Sequence, residues 1–323
     1  MFGKKILVSG LLSLAVVSNL FGAKVTALKT TIAEESFQMQ IVAEILKKMG
    51  HEVEISNDVD YEIAYQTLAN NAKNDEVFFI ASSWDPLHNS KIENVGKEKV
   101  TKFSEYVSNC AQGYLIDKKT AEKYNIKYIN DLKDPKIAKL FDTNGNGKAD
   151  LTGCNAGWGC EKVIEHQLDN YGLRDTVEHN QGQYSALIAD TIANYKTDKP
   201  ILYYTWTPYW VSGKLVPGKD TVFLQVTHSA NPNTDSTKLP NGADYGFNIN
   251  SQKIVANAGV NKHKDIAKLF DIVKLSVNDV SGQNMLMANG QNKEKDIKRH
   301  AKLWIENNEA KINAWIKEAK AAK

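Results

Sequence analysis

The spacing of apolar positions changes period repeatedly along the chain, and each change marks an element. Residues 25–30 (VTALKT) are a short apolar-rich run that predicts a first strand. Phe37, Ile41, Ile45 and Leu46 then recur at helical spacing as far as Gly50. Ahead of them, Thr31 and Glu34 have the spacing of a capping box. A strand at 53–55, a helix near 61–72 and a buried strand at 77–81 follow. Residues 110–116 form another apolar run, placed to carry the chain between lobes. Helices are expected at 130–141, 161–171 and 184–195, and strands at 200–205 and 222–226. Residues 227–241, rich in Asn, Thr, Ser and Pro, read as a long loop near a return crossover. Strand character resumes at 245–250 and 253–256, and helices run to the end. Strands alternating with helices are the signature of an α/β fold.

The length of 323 residues suggests two lobes on the usual scale of about 150 residues per domain. Hydrophobic residues at 42% and charged residues at 24% fit a folded chain with a sizeable core, and exclude a collagen, a coiled coil or a wholly disordered chain. Lys and Arg total 40 against 38 Asp and Glu, so no overall field draws the chain to nucleic acid. Arginine occurs only as Arg174 and Arg299. An anionic ligand group is therefore expected to meet backbone N–H groups, His or Lys rather than an arginine fork.

The first residues read as an address. Lys4 and Lys5 precede an apolar stretch at 6–17, and Gly22 and Ala23 offer a cleavage site, with Phe21 a poor fit at the −3 position. The stretch is shorter than the about 20 residues that span a bilayer, so 1–23 is expected to be a cleaved signal peptide and the mature chain periplasmic. In such an oxidising compartment Cys154 and Cys160 pair naturally as a short disulfide, while Cys110 is left as a small buried hydrophobe. No CxxC or HxxxH spacing occurs, so no Cys/His metal site is expected. Residues 142–150 match the front of an EF-hand loop, with Asp142, Asn144, Asn146 and Asp150 as oxygen donors, but Gly153 stands where the bidentate Glu belongs. A structural calcium site and a tight Asn/Gly turn both remain open.

Six tryptophans divide by context. Trp304 and Trp315 lie in a lysine-rich helical stretch with Leu303, Ile312 and Ile316, and are expected to face the core. Trp84, Trp158, Trp206 and Trp210 stand beside turn-formers at strand ends, in SSWDPLH, NAGWGCE and TWTPYW. Strand ends facing a cleft are where open α/β sheets bind ligands. Several indole faces around one cation suit a quaternary ammonium group, which has no N–H to donate. Gly159 and Cys160 follow Trp158 beside the helix start expected at Glu161, where free N–H groups can receive a carboxylate. His88, four residues after Trp84, adds a donor. A cation box and an anion seat thus share the same loops.

The stretches GYLIDKKTAEKY, LKDPKIAKLFDTNGNGKADLTGCNAGWGCE, HNQGQYSALIADTI and YYTWTPYWVS resemble the ProX family. These are the periplasmic glycine betaine/proline betaine-binding components of ProU-type ABC transporters, and the likeness runs from about residue 31 to the C-terminal helices. It implies an α/β, two-lobed periplasmic binding protein of type II-like architecture, each lobe a mixed β-sheet flanked by helices, with the ligand in the interlobe cleft. Lobe 1 is expected at 24–109 and 228–323, lobe 2 at 110–227. The family's aromatic box falls on Trp84, Trp158 and Trp206, its carboxylate contacts on the His88 side chain and the N–H groups of Gly159 and Cys160, and its disulfide on Cys154 and Cys160. Trp210 reads as lobe packing. Expected partners are the betaine ligand and an inner-membrane permease with its ATPase, for a monomer serving osmoprotection without a cofactor.

Two departures from the family are Cys110, in place of a small residue, and Asp85, in place of a Thr. Asp85 would add negative charge near the cation. A receptor of the same fold for choline, carnitine or ectoine is the nearer alternative, although choline has no carboxylate for the donors to hold. An enzyme with Cys160 as nucleophile and His88 as base is the more remote one, and a disulfide would remove that thiol.

Overall fold

The structure, a computed structural model, describes residues 22–322. The expected signal peptide lies, but for Gly22 and Ala23, outside the described residues. Ten strands are described: β1 (Lys24–Ala27), β2 (Glu52–Ile55), β3 (Val77–Asp85), β4 (Val100–Cys110), β5 (Gln112–Asp117), β6 (Ala149–Thr152), β7 (Val177–Asn180), β8 (Leu202–Trp206), β9 (Thr221–Phe223) and β10 (Asn250–Asn257). They form two five-stranded mixed sheets, ordered β2-β1-β3-β10-β4 and β7-β6-β8-β5-β9. In each sheet the parallel pairs are joined through helices, and the antiparallel strands bring the chain across and back.

The apolar run at 110–116 carries the chain from one sheet to the other. β4 ends at Cys110 in the first sheet and β5 starts at Gln112 in the second. β5 is buried at every position, so its period-2 alternation vanishes. Gly113 in β5 is required by packing, because a Cβ there would meet Phe223 at 2.8 Å. The first sheet packs on the helix Ser36–Met49 through Ile41, Val42 and Ile45, and on the opposite face Phe79 meets Phe270 with ring centroids 5.0 Å apart.

Several expected elements change. Thr31 and Glu34 form no capping box: a 3-10 turn, Ala33–Glu35, precedes the helix, and the Thr31 hydroxyl donates instead to Asp60. Pro135 has no N–H to continue a helix, so the expected 130–141 helix is three short turns, with Asp134 capping the middle one. The final lysine-rich stretch is two helices, Glu294–Asn307 and Glu309–Lys320. Trp304 and Trp315 are half-buried rather than enclosed, and Lys311 lies 5.8 and 4.7 Å from their ring centroids. The expected strand at 245–250 is not formed, since Gly246 adopts a φ of 76° and its carbonyl accepts from Gln167.

That last bond bears on the return crossover. The segment after Thr227 stays with the second sheet's layer: Tyr171 donates to the His228 carbonyl at 2.9 Å, Val226 N–H to Asp244 O, and Phe247 packs on Tyr114. The chain rejoins the first sheet only at Asn250, later than the crossover expected at 228. The two layers also touch directly. Asn284 donates to the Pro208 carbonyl at 3.1 Å, Lys214 to Asn289 at 2.9 Å, and Met285 fills the space a Cβ on Gly213 would need.

Candidate functional site

The ends of β3 and β8 open onto one cleft between the layers. Trp84 stands next to last in β3, and Trp206 is the last residue of β8. Trp158 is the residue before the helix Gly159–Asn170. All three line a single cavity that holds about 400 Å³ of empty space, its open mouth included. Trp158 and Trp206 meet edge to face, centroids 5.7 Å apart and planes at 81°. Trp206 is held in turn by Tyr184 at 4.8 Å and Tyr209 at 4.3 Å.

The same cavity is lined by His88, Gly159 and Cys160, so the structure brings together all six ligand-site residues expected from sequence. His88 is 3% exposed. Its Nδ1 lies 3.3 Å from the backbone N of Trp84 and 3.2 Å from the Tyr65 hydroxyl. Burial, with Lys91 adding to it, pushes the imidazole pKa down to about 3. The ring is therefore neutral, and because Nδ1 accepts the Trp84 N–H, the proton sits on Nε2.

Gly159 and Cys160 open their helix without a side-chain cap, and their N–H groups have no partner among the described residues. The helix N-terminus thus presents two free donors with its dipole behind them. Gly159 has to be glycine, because a Cβ would lie 2.6 Å from the Leu87 side chain reaching across from the first layer. The loop before it is closed by the Cys154–Cys160 disulfide. Cys160 therefore has no thiol to act as a nucleophile. Cys110 is buried and free, its thiol pushed up to about 12 by that burial.

Tyr61, Tyr204, Ile32, Leu87 and Gln112 complete the lining. Sequence reasoning missed these. Tyr61 lies on a regular amphipathic helix and Tyr204 inside a strand, so neither carried a turn signal. No residue of the lining is ionised: the walls are aromatic, and the donors are a neutral imidazole and backbone amides. Such a cleft matches a ligand whose own charges sum to zero, with a cation for the aromatic faces and an anion for the donors.

Asp85 does not add charge to that cleft. Lys102 and Lys253 each approach its carboxylate at 2.7 Å and hold its pKa below the usual range against partial burial. Trp210 is half-buried and packs on Tyr209, consistent with a packing role. Residues 142–150 fold as a self-bonded turn. Asp142 accepts the N–H groups of Gly145 and Gly147, and Asp150 accepts Thr143 and Asn144. Among the described residues no group of three or more His, Cys, Asp or Glu is placed to hold a metal ion, and no helix is long and apolar enough to cross a membrane.

A family model described as the substrate binding domain of ABC-type glycine betaine transport systems matches residues 23–307. The chain is 51% identical over 308 residues to the glycine betaine/proline betaine-binding periplasmic protein of Escherichia coli, covering 93% of this chain and 91% of that one. It is 50% identical over 306 residues to the glycine betaine-binding periplasmic protein OusX of Dickeya dadantii, with the same coverage. Among solved structures, lactococcal OpuAC in its closed, glycine betaine-bound conformation shares the fold with a TM-score of 0.68 at 20% identity, over 91% of this chain and 99% of that one.

Proposed function

The chain belongs to the family of substrate-binding domains of ABC-type glycine betaine transport systems, and from that premise we propose that it captures glycine betaine or proline betaine in the cleft between its lobes. The quaternary ammonium sits among the faces of Trp84, Trp158 and Trp206. The carboxylate receives the Nε2–H of His88 and the N–H groups of Gly159 and Cys160. One observation carries this reading: an aromatic cage and a set of unpaired donors occupy a single cavity with no ionised side chain. Three desolvated cation–π contacts of about 2 kcal/mol each, with charge-assisted hydrogen bonds of about 1.5–3 kcal/mol each, are enough to exceed the association cost of a small ligand.

The lobes part at the strand junctions near residue 111 and near residue 249, and the ligand favours the closed arrangement because it touches both. The loaded protein delivers its ligand in the periplasm to a membrane permease and its ATPase, and performs no chemistry on it. Titration calorimetry tests this with glycine betaine, proline betaine, choline and glycine. The betaines should bind much more tightly than the other two. Choline binding as well as glycine betaine would remove the carboxylate half of the reading.

A further inference from the structure

Behind the aromatic wall lies a carboxylate that the ligand contacts above do not use. Glu35 is 4% exposed and stands immediately before the helix Ser36–Met49. Four donors converge on its two oxygens: the hydroxyls of Thr30 at 2.6 Å, Tyr61 at 2.6 and 2.7 Å and Ser82 at 2.7 Å, and the indole Nε1–H of Trp84 at 2.8 Å. This is the surrounding an ionised carboxylate asks for, and the helix N-terminus favours the same charge state. Burial raises the Glu35 pKa while the bonds from Thr30, Tyr61, Ser82 and Trp84 lower it, and among the described residues no Lys, Arg or His forms an ion pair with it. A buried anion without a counter-ion is penalised by the hydration it loses, and hydrogen bonds offset only part of that penalty.

Two of the four donors belong to the walls of the cleft. Tyr61 and Trp84 both line the cavity, so one carboxylate sets the orientation of both rings. A negative charge hydrogen-bonded to an indole N–H also pushes electron density onto the ring, the face of which meets the cation. In the low-dielectric interior that charge reaches the cavity weakly screened.

We propose that Glu35 is a positioning residue of the cation box, whose charge, unpaired within the protein, finds its counter-ion in the ammonium group of the ligand. This deepens the betaine reading and rests on it. Glu35 touches the ligand only through Trp84 and Tyr61. Its role is to hold those rings and to make the box discriminate charge from shape.

The test compares glycine betaine with 3,3-dimethylbutanoate, its isostere with a quaternary carbon in place of nitrogen. Both affinities are measured by calorimetry for the parent and for Glu35→Gln, after thermal unfolding has shown the variant folded. The ratio of betaine to isostere affinity should fall about tenfold in Glu35→Gln, with most of the change in betaine binding. Equal losses for both ligands, or none, would overturn the proposal, since a purely structural carboxylate alters the shape of the box and not its charge preference. If Glu35→Gln does not fold, Trp84→Phe breaks the same link and Trp206→Phe serves as its control, because Trp206 has no carboxylate partner among the described residues. The ratio must then fall further for Trp84→Phe, and equal falls overturn the proposal. A parent that binds no betaine at all refutes instead the functional reading on which this one stands.

Discussion

The Nδ1 atom of His88 accepts the backbone N–H of Trp84, four residues earlier, at 3.3 Å. One turn of chain thereby couples a wall of the aromatic cavity to the imidazole proposed above as the donor to the carboxylate. The bond fixes the tautomer, and burial keeps the ring neutral with a pKa of about 3. Betaine affinity should therefore show no His88-linked change between about pH 6 and 8, although free histidine titrates near 6.5. Calorimetry across that range checks this, and an imidazole nitrogen NMR titration should show Nε2 protonated throughout.

Stability carries the opposite signature. The folded-state pKa of His88 is depressed below its unfolded value, so below about pH 6.5 the unfolded chain takes up a proton that the folded chain refuses. The contribution of His88 is present in full above about pH 6.5 and is lost progressively as pH falls toward about 3. Urea unfolding at pH 7, 5 and 4 should show this decline, and His88→Gln should flatten it.

The tryptophans should separate by what else they hold. Trp158→Ala, at a half-buried position, should weaken betaine binding by about 1–3 kcal/mol with little change in the unfolding of the empty protein. Trp84→Ala should weaken binding similarly and also lower stability by about 1–3 kcal/mol, because Glu35 loses a buried donor. Trp304→Ala should lower stability modestly, by about 1–2 kcal/mol, and leave affinity unchanged. Paired calorimetry and thermal unfolding distinguish the three patterns.

Cys154→Ser opens the disulfide beside Trp158 and the two free amides. Its main effect should be on preorganisation, so affinity should drop by more than stability does. Unchanged affinity with a large fall in melting temperature would make the bridge a stabiliser only.

Gly159→Ala places a methyl 2.6 Å from Leu87 across the cleft. It should prop the lobes apart and cut affinity about tenfold, a coupling near 1.4 kcal/mol. Leu87→Ala in the same chain should recover much of the loss. A double-mutant cycle on dissociation constants checks the coupling.

The loops around Trp84, Trp158 and Trp206 were legible because each pairs a rare residue with turn-formers at a strand end, and the first-turn amides of Gly159 and Cys160 follow from a helix start. Elements with a clean period were found close to their true bounds, as with Tyr184–Lys196. Pro135 marked a break that helical spacing alone hid. Glu35 was not legible, because at the edge of a predicted helix a Glu ordinarily faces water. Its burial follows from Thr30, Tyr61 and the β3 pair Ser82 and Trp84 meeting from three distant stretches of chain, a long-range fact that no local pattern carries.

The uncharged lining of the cleft bears on the solution in which it works. Raising ionic strength from about 0.1 M to about 1 M shortens the Debye length from about 10 Å to about 3 Å and erases attraction between exposed charges. A receptor that relied on surface lysines and carboxylates would lose its ligand as the medium became saltier. In the binding mode proposed above, indole faces, a neutral imidazole and helix-end amides hold the ligand between the lobes without any exposed charge pair. Capture by such a site holds in brine, the condition under which a cell most needs a compatible solute.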